Sequence, residues 1–313
     1  MKGIELSEKF YKEYGEKMIE ESFSHIKQYL AVGLSGSGSE CMGFDDDFSK
    51  DHDFEPGFCI FLPDECLVSR RDEFLLERAY AKLPKEFMGH ERSPLNPVGG
   101  NRHGIIRIQD FFNDKTGDEN GDLTIKGWFF VSEQFLLEAT NGKVFADNFG
   151  LFTSIRQKLS YLPEDVRLKK LAGNLLVMAQ AGQYNYERCI KRDETGAAQL
   201  AAGEFVSAAL KVIFLLNKKY IPYYKWVFRA LRDLETLSHL HQDLEYLIAS
   251  GNVDAEVKTK AELIEKISAA VIGALQRQSL TTASSDSLEA HAYSVNDKIT
   301  DPEIRNLHIM YAV

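Results

Sequence analysis

The stretch Phe58-Cys59-Ile60-Phe61-Leu62 constrains the fold of this chain most. It is apolar on both alternating faces and closed by Pro63. A run this short and this apolar reads as a strand covered on both sides, hence central in a sheet, and proline ends it by removing a backbone donor. A central strand needs neighbours. Ala31-Val32-Gly33-Leu34 and Ile105-Ile106-Arg107-Ile108 are the best candidates. Helical spacing surrounds them. Phe10, Tyr14, Met18, Ile19, Phe23 and Ile26 recur at three- to four-residue intervals within 6–30. Residues 70–83 read as a second helix, with Phe74, Leu75, Ala79 and Leu83 expected inward. Asn113 to Asp122, with Gly117, Gly121 and several acids, reads as a surface loop, and Trp128 to Ala139 opens another helical segment.

From Tyr161 onward the pattern is helical throughout. Pro163 and Pro222 stand where helices begin, and apolar periodicity marks 163–179, 197–217, 222–234, 237–248 and 257–275. The expected fold class is therefore α+β: a small mixed-sheet domain over 1–140, then a helical bundle over 141–313. Its tail after 276 reads as a loop and a last short segment. At 44% hydrophobic residues the chain has enough apolar surface for both cores.

A formal net charge of −10 argues against bulk nucleic-acid binding. Cys41, Cys59, Cys66 and Cys189 have neither zinc-ligand nor disulfide-framework spacing. Met1 to Lys9 is charged throughout, and the apolar runs at 127–137 and 208–216 are short for a membrane span. A cytoplasmic protein with no membrane partner is the expectation.

The chemistry concentrates between 33 and 54. Gly33-Leu34-Ser35-Gly36-Ser37-Gly38-Ser39 is a glycine-serine turn whose backbone can approach a phosphate. Asp51-His52-Asp53 follows, and in an extended segment Asp51 and Asp53 leave the same face. Paired carboxylates suit Mg²⁺ or Mn²⁺, and a metal-held nucleoside triphosphate is the matching substrate. The nearby run Asp45-Asp46-Asp47 reads as a solvated loop.

Leu34-Ser35-Gly36-Ser37 followed by Asp51-His52-Asp53 resembles the signature of the DNA polymerase beta-like nucleotidyltransferase superfamily. Gly142 to Asp147, Arg156 to Pro163 and Leu216 to Trp226 resemble an uncharacterised bacterial branch, a nucleotidyltransferase-like domain of unknown function. The resemblance implies that Gly36 and Ser37 hold the triphosphate and that Asp51 and Asp53 ligate the metal. His52 stands where the family has an apolar residue. A third carboxylate is implied near residues 106–108, where this chain has Arg107; Asp110 is the nearest acid and the expected substitute. Arg107 would then pair with a phosphate or with Asp53. In the helical part, Lys218 and Lys225, with Lys219 between them, are the candidate counter-charges for the leaving phosphates.

The function expected on these grounds is transfer of a nucleoside monophosphate from a triphosphate, with ATP as the expected donor, to a hydroxyl acceptor, releasing pyrophosphate. Its catalytic set would be Asp51, Asp53 and Asp110. The alternative is a nucleotide-binding or regulatory protein that kept the fold and lost a metal ligand.

Overall fold

A computed structural model describes residues 1–46, 55–92, 103–311 and 313. The fold is α+β, and the chain forms two compact units. Residues 1–127 and 131–160 make the first; 128–130 and 161–313 make the second.

The first unit opens with α1 (Gly3–Phe10), which passes through a π-helical stretch at Tyr11–Gly15 into α2 (Glu16–Ser22). Asp45 caps α1: its Oδ2 accepts from the Gly3 N–H at 3.0 Å, and its Oδ1 lies 3.7 Å from Lys2 Nζ. Asp45 is buried there rather than part of a solvated loop, because a carboxylate complements the exposed amides of a helix start. Then follow β1 (Ala31–Leu34), β2 (Cys59–Leu62) and α3 (Arg70–Ala81). A short hairpin comes next, β3 (Glu86–Phe87) with β4 (His90–Glu91), followed by β5 (Gly104–Arg107) and α4 (Ile108–Thr116). After α5 (Ile125–Phe130), whose last three residues belong to the second unit, and α6 (Glu133–Thr140) come β6 (Lys143–Asp147) and α7 (Leu151–Lys158).

The main sheet has the order β5-β2-β1-β6. β1 is antiparallel to β2 and β6, while β5 runs parallel to β2. β2 is buried along its whole length. Its side chains alternate between two layers, as strand geometry requires. Ile60 and Leu62 join Leu6, Phe10, Phe23, Leu76 and Tyr80 on one side. Phe61 stacks on Phe152 at 4.0 Å on the other, with Phe111 5.2 Å away.

Three local expectations are corrected. In α3 the inward residues are Leu76 and Tyr80, whereas Phe74 and Leu75 are 54% and 41% exposed. Tyr80 sets that face: its hydroxyl accepts from the Phe58 N–H at 3.0 Å and donates to the Phe58 carbonyl at 2.8 Å. Burial pushes the Tyr80 phenol above its usual range. Asn113 to Thr116 continue α4, which stops at Gly117 in a left-handed conformation, so the surface loop is shorter than expected. Residues 143–147, assigned in the sequence reading to the helical part, pair with β1 as an edge strand. The sheet unit therefore runs on to Ser160 instead of ending at 140.

The second unit is helical. It contains α8 (Glu164–Met178), a π-helical stretch, α9 (Glu187–Ile190), α10 (Thr195–Leu216) and α11 (Tyr224–Arg232). It continues with α12 (His241–Ala249), α13 (Asp254–Arg277), α14 (Leu288–Asn296) and α15 (Pro302–Asn306). α8 is the central element, packed by α10, α14 and α15, and every residue from Val166 to Met178 is buried. Lys169 is buried with them. Its Nζ donates to Asn296 Oδ1 at 2.8 Å and to the carbonyls of Arg305 and Leu307 at 3.0 and 2.7 Å, which ties the C-terminal segment to the bundle. Burial lowers its pKa. α10 exceeds the short apolar run seen in the sequence: its 22 residues are long and apolar enough to cross a membrane, but 61% of its apolar window is buried inside the protein, as in a core helix.

Candidate functional site

Strand direction decides which residues meet. Gly33 of β1 pairs with Cys59 of β2, Cys59 pairs with Gly104 of β5, and Leu34 of β1 pairs with Lys143 of β6. One end of the sheet therefore collects four things: the glycine-serine turn leaving β1, the segment entering β2, the residues before β5, and those before β6. The other end collects Leu62 and Arg107.

The turn is held by Asn141. Its Oδ1 accepts from the Gly36 N–H at 2.9 Å, and its Nδ2 donates to the Gly36 carbonyl at 2.7 Å. The carboxamide thus copies a strand partner for one residue. Ser35 Oγ donates to the carbonyls of Glu138 and Asn141, both at 3.1 Å. Gly36 has φ +134°, a conformation that side chains rarely adopt. Its amide is committed to Asn141, so the donors left to a phosphate cradle lie from Ser37 onward; Ser37 is exposed. Arg156 fixes the base of this arrangement. Its Nη2 donates to the carbonyls of Thr140 and Asn141 at 2.6 and 2.7 Å, where α6 ends, and burial lowers its pKa.

Among the described residues, the carboxylates of Glu40 and Glu55 lie near this end. Glu40 is buried in the short helix after the turn, its Oε1 against Gly38, where a Cβ would come within 2.0 Å. Burial, and then the charge of Glu40, push the Cys59 thiol up to about 12. Glu55, on the approach to β2, lies 3.1 Å through Oε1 from His103 Nδ1. Among the described residues, no group of three or more His, Cys, Asp or Glu is arranged to hold a metal.

Asp51 and Asp53, the expected metal ligands, lie outside the described residues. Asp110 is exposed in the first turn of α4, beyond the far end of β5. Four residues of strand separate the two ends, roughly 10 Å at 3.3 Å per residue. Asp110 is thus at the end opposite the turn and is corrected as the third carboxylate. Asp110→Asn is expected to leave triphosphate affinity and any pyrophosphate release within about twofold of wild type, which a titration and a coupled pyrophosphate assay check together.

Arg107 is corrected too. It is buried, donating to the carbonyls of Pro63 and Val68 and to Glu73 Oε2 from Nε and Nη2 at 3.1 and 2.7 Å. Its task is to anchor the loop after β2 and the start of α3. Lys218 and Lys225 belong to the second unit. Lys218 Nζ sits 3.3 Å from Glu164, a carboxylate that also takes Arg167 Nε and Nη2 at 3.0 and 2.5 Å. Those partners, Arg167 first, hold the Glu164 pKa below its ordinary value. Lys225 is exposed at the start of α11, its Nζ 5.1 Å from the Trp226 ring centre.

Glu40, Glu55, His103 and Asn141 were not among the expected site residues, and Arg156 stood only within a family-like motif. Two signals were present. Glu55 continues the alternation of Asp51 and Asp53, and Asn141-Gly142 is a turn dipeptide just before the short apolar run Val144-Phe145-Ala146. A family model described as a domain of unknown function (DUF4037) matches residues 128–227, which include Asn141, Arg156, Lys218 and Lys225. No curated protein matches the chain.

Proposed function

We propose that this chain is a metal-dependent nucleotidyltransferase that moves a nucleoside monophosphate from a triphosphate, ATP as the first candidate, to a hydroxyl acceptor. One observation carries the reading: the register brings the exit of β1, with its glycine-serine turn, to the end of the sheet at which β2 begins, and Asp51 and Asp53 precede β2 in the sequence. A triphosphate lying along that end would meet the donors after Gly36 and a group of carboxylates. The candidate donors, the two aspartates, are carboxylate oxygens, which suit a hard divalent cation such as Mg²⁺ or Mn²⁺ better than zinc. Asp51 and Asp53 would hold the metal, whose part is to neutralise phosphate charge and orient the reacting phosphoryl group. The chain's own groups do the rest. Asn141 fixes the turn, and Arg156 fixes Asn141. Residence in the cytoplasm belongs to the same proposal.

The second reading is a nucleotide-binding protein without turnover. It draws support from β5, which offers no acid along Gly104-Ile105-Ile106-Arg107. Incubation with each of the four nucleoside triphosphates and Mg²⁺ or Mn²⁺, read by pyrophosphate release and thermal shift, separates the two. Stabilisation with release supports the enzyme, stabilisation alone supports the second reading, and neither response contradicts both.

A further inference from the structure

We propose that α11, with Tyr223 at its start, is a binding surface for single-stranded nucleic acid; the surface lies wholly in the second unit and does not depend on the transfer reading above. Between Glu204 and Asp233 the chain has no acid and six cations, Lys211, Lys218, Lys219, Lys225, Arg229 and Arg232, in a protein of net charge −10. The overall charge opposes a long duplex footprint and leaves room for a short, local one.

Helical spacing sorts α11 into faces. At about 3.6 residues per turn, Lys225, Arg229 and Arg232 fall within roughly 60° of one another. Val227 and Leu231 lie on the opposite side, buried where α11 packs on α10 and α12. Tyr224 and Phe228 border the cationic stripe on one edge and Trp226 on the other. Lys225 Nζ and Arg229 Cζ lie 5.1 and 5.9 Å from the Trp226 ring centre. Tyr224 is 74% exposed, and its ring centre lies 4.2 Å from that of Tyr223, itself 40% exposed. Rings in water beside a row of cations suit a ligand that carries flat bases and phosphates together. The helix dipole accounts for Arg229 and Arg232 in the last turn, but it works against Lys225 in the first. Lys218 is not counted in the stripe, because Glu164 lies 3.3 Å from its Nζ.

Length and shape favour a single strand. The stripe from Lys225 to Arg232 runs about 10 Å along the helix, the reach of a few nucleotides and well short of the roughly 34 Å of one duplex turn. Bases in a duplex are stacked on one another and offer no face to Tyr224, whereas unstacked bases do. A basic amphipathic helix can also lie on an anionic membrane by burying its apolar face. Here Val227 and Leu231 are already taken up by the bundle, so that mode lacks its aliphatic anchor.

Fluorescence anisotropy on the full chain tests this, with a labelled oligoadenylate RNA of about twelve nucleotides, the DNA of the same sequence and the matching duplex as probes. EDTA is present throughout, so a metal-held triphosphate site plays no part in the reading. A single strand is expected to bind at least about tenfold more tightly than the duplex and to weaken as salt rises from about 50 to 200 mM; the tighter of RNA and DNA names the partner. Tyr224→Ala is expected to weaken binding about 5- to 100-fold, while Tyr224→Phe, which keeps the ring, stays within about twofold of wild type. Lys225→Gln combined with Arg232→Gln is expected to weaken binding and flatten its salt dependence. Lys258→Gln, at an exposed lysine of α13, is the control and is expected to bind as wild type does. No binding of either strand at low salt, duplex binding as tight as the strands, or Tyr224→Ala and the double variant binding as tightly as Lys258→Gln each overturns the proposal. Binding to phosphatidylserine vesicles without binding to either strand makes α11 a membrane-facing surface and overturns it too.

Discussion

Arg107→Ala is expected to cost the sheet unit about 3–5 kcal/mol of stability, the range for breaking a buried ion pair by removing one partner. Arg107 is 5% exposed and Glu73, its partner, is 16% exposed in the side chain. The substitution leaves the Glu73 carboxylate only its contact with Arg70 Nη1 at 3.1 Å, and removes the donor from the Pro63 and Val68 carbonyls. Those carbonyls belong to the stretch that turns the chain from β2 into α3, so the loss should spread to the packing of Leu76 and Tyr80. Urea unfolding followed by circular dichroism measures it. A drop below about 1 kcal/mol, accompanied by loss of nucleotide binding, would make Arg107 a ligand residue and overturn the anchoring role.

Gly142→Ala is the second large effect. Gly142 has φ +71°, and a Cβ there would lie 1.9 Å from the Leu34 carbonyl oxygen and 3.0 Å from Ser35 Cα. Both are backbone atoms, so no rotamer change relieves the contact. Left-handed strain and forced overpacking each cost about 1–3 kcal/mol, and here they act together. A loss of about 3 kcal/mol or more is expected, with β6 pushed off β1 and the Asn141 clamp on Gly36 loosened. Gly203→Ala is the matched control. Gly203 lies inside α10 with nothing near its missing Cβ, and alanine is the better helix former by about 1 kcal/mol. Equal stability of the two variants would contradict the close approach at Gly142.

What could be read from the sequence follows from where the determining contacts lie. β2 was legible because its apolar residues on both faces leave only a buried strand as a solution. The helices of the second unit were legible from periodicity and from proline at their starts. β6 was not, because Lys143-Val144-Phe145-Ala146-Asp147 is a half-exposed edge strand with no clean alternation of its own. The inward face of α3 was misjudged because a tertiary contact, Tyr80 to the Phe58 backbone, fixes its rotation.

The site was legible in its local part only. The glycine-serine turn and the aspartate pair are contiguous features. The direction of β5 relative to β2 is not written locally, and it decides that His103, not Asp110, shares the end with the turn. Asn141 meets Gly36 across more than a hundred residues of chain, which no spacing rule anticipates.

The central claim is that Asp51 and Asp53 hold a divalent cation that brings a triphosphate to the turn after β1. Calorimetric titration of ATP into wild type, Asp51→Asn and Asp53→Asn, each with Mg²⁺ and with EDTA, tests it most directly. The account predicts Mg²⁺-dependent binding in wild type, loss of that dependence in both variants, and unfolding midpoints unchanged in both. Unaltered Mg²⁺-dependent affinity in the two variants, or wild-type binding indifferent to EDTA, would contradict it.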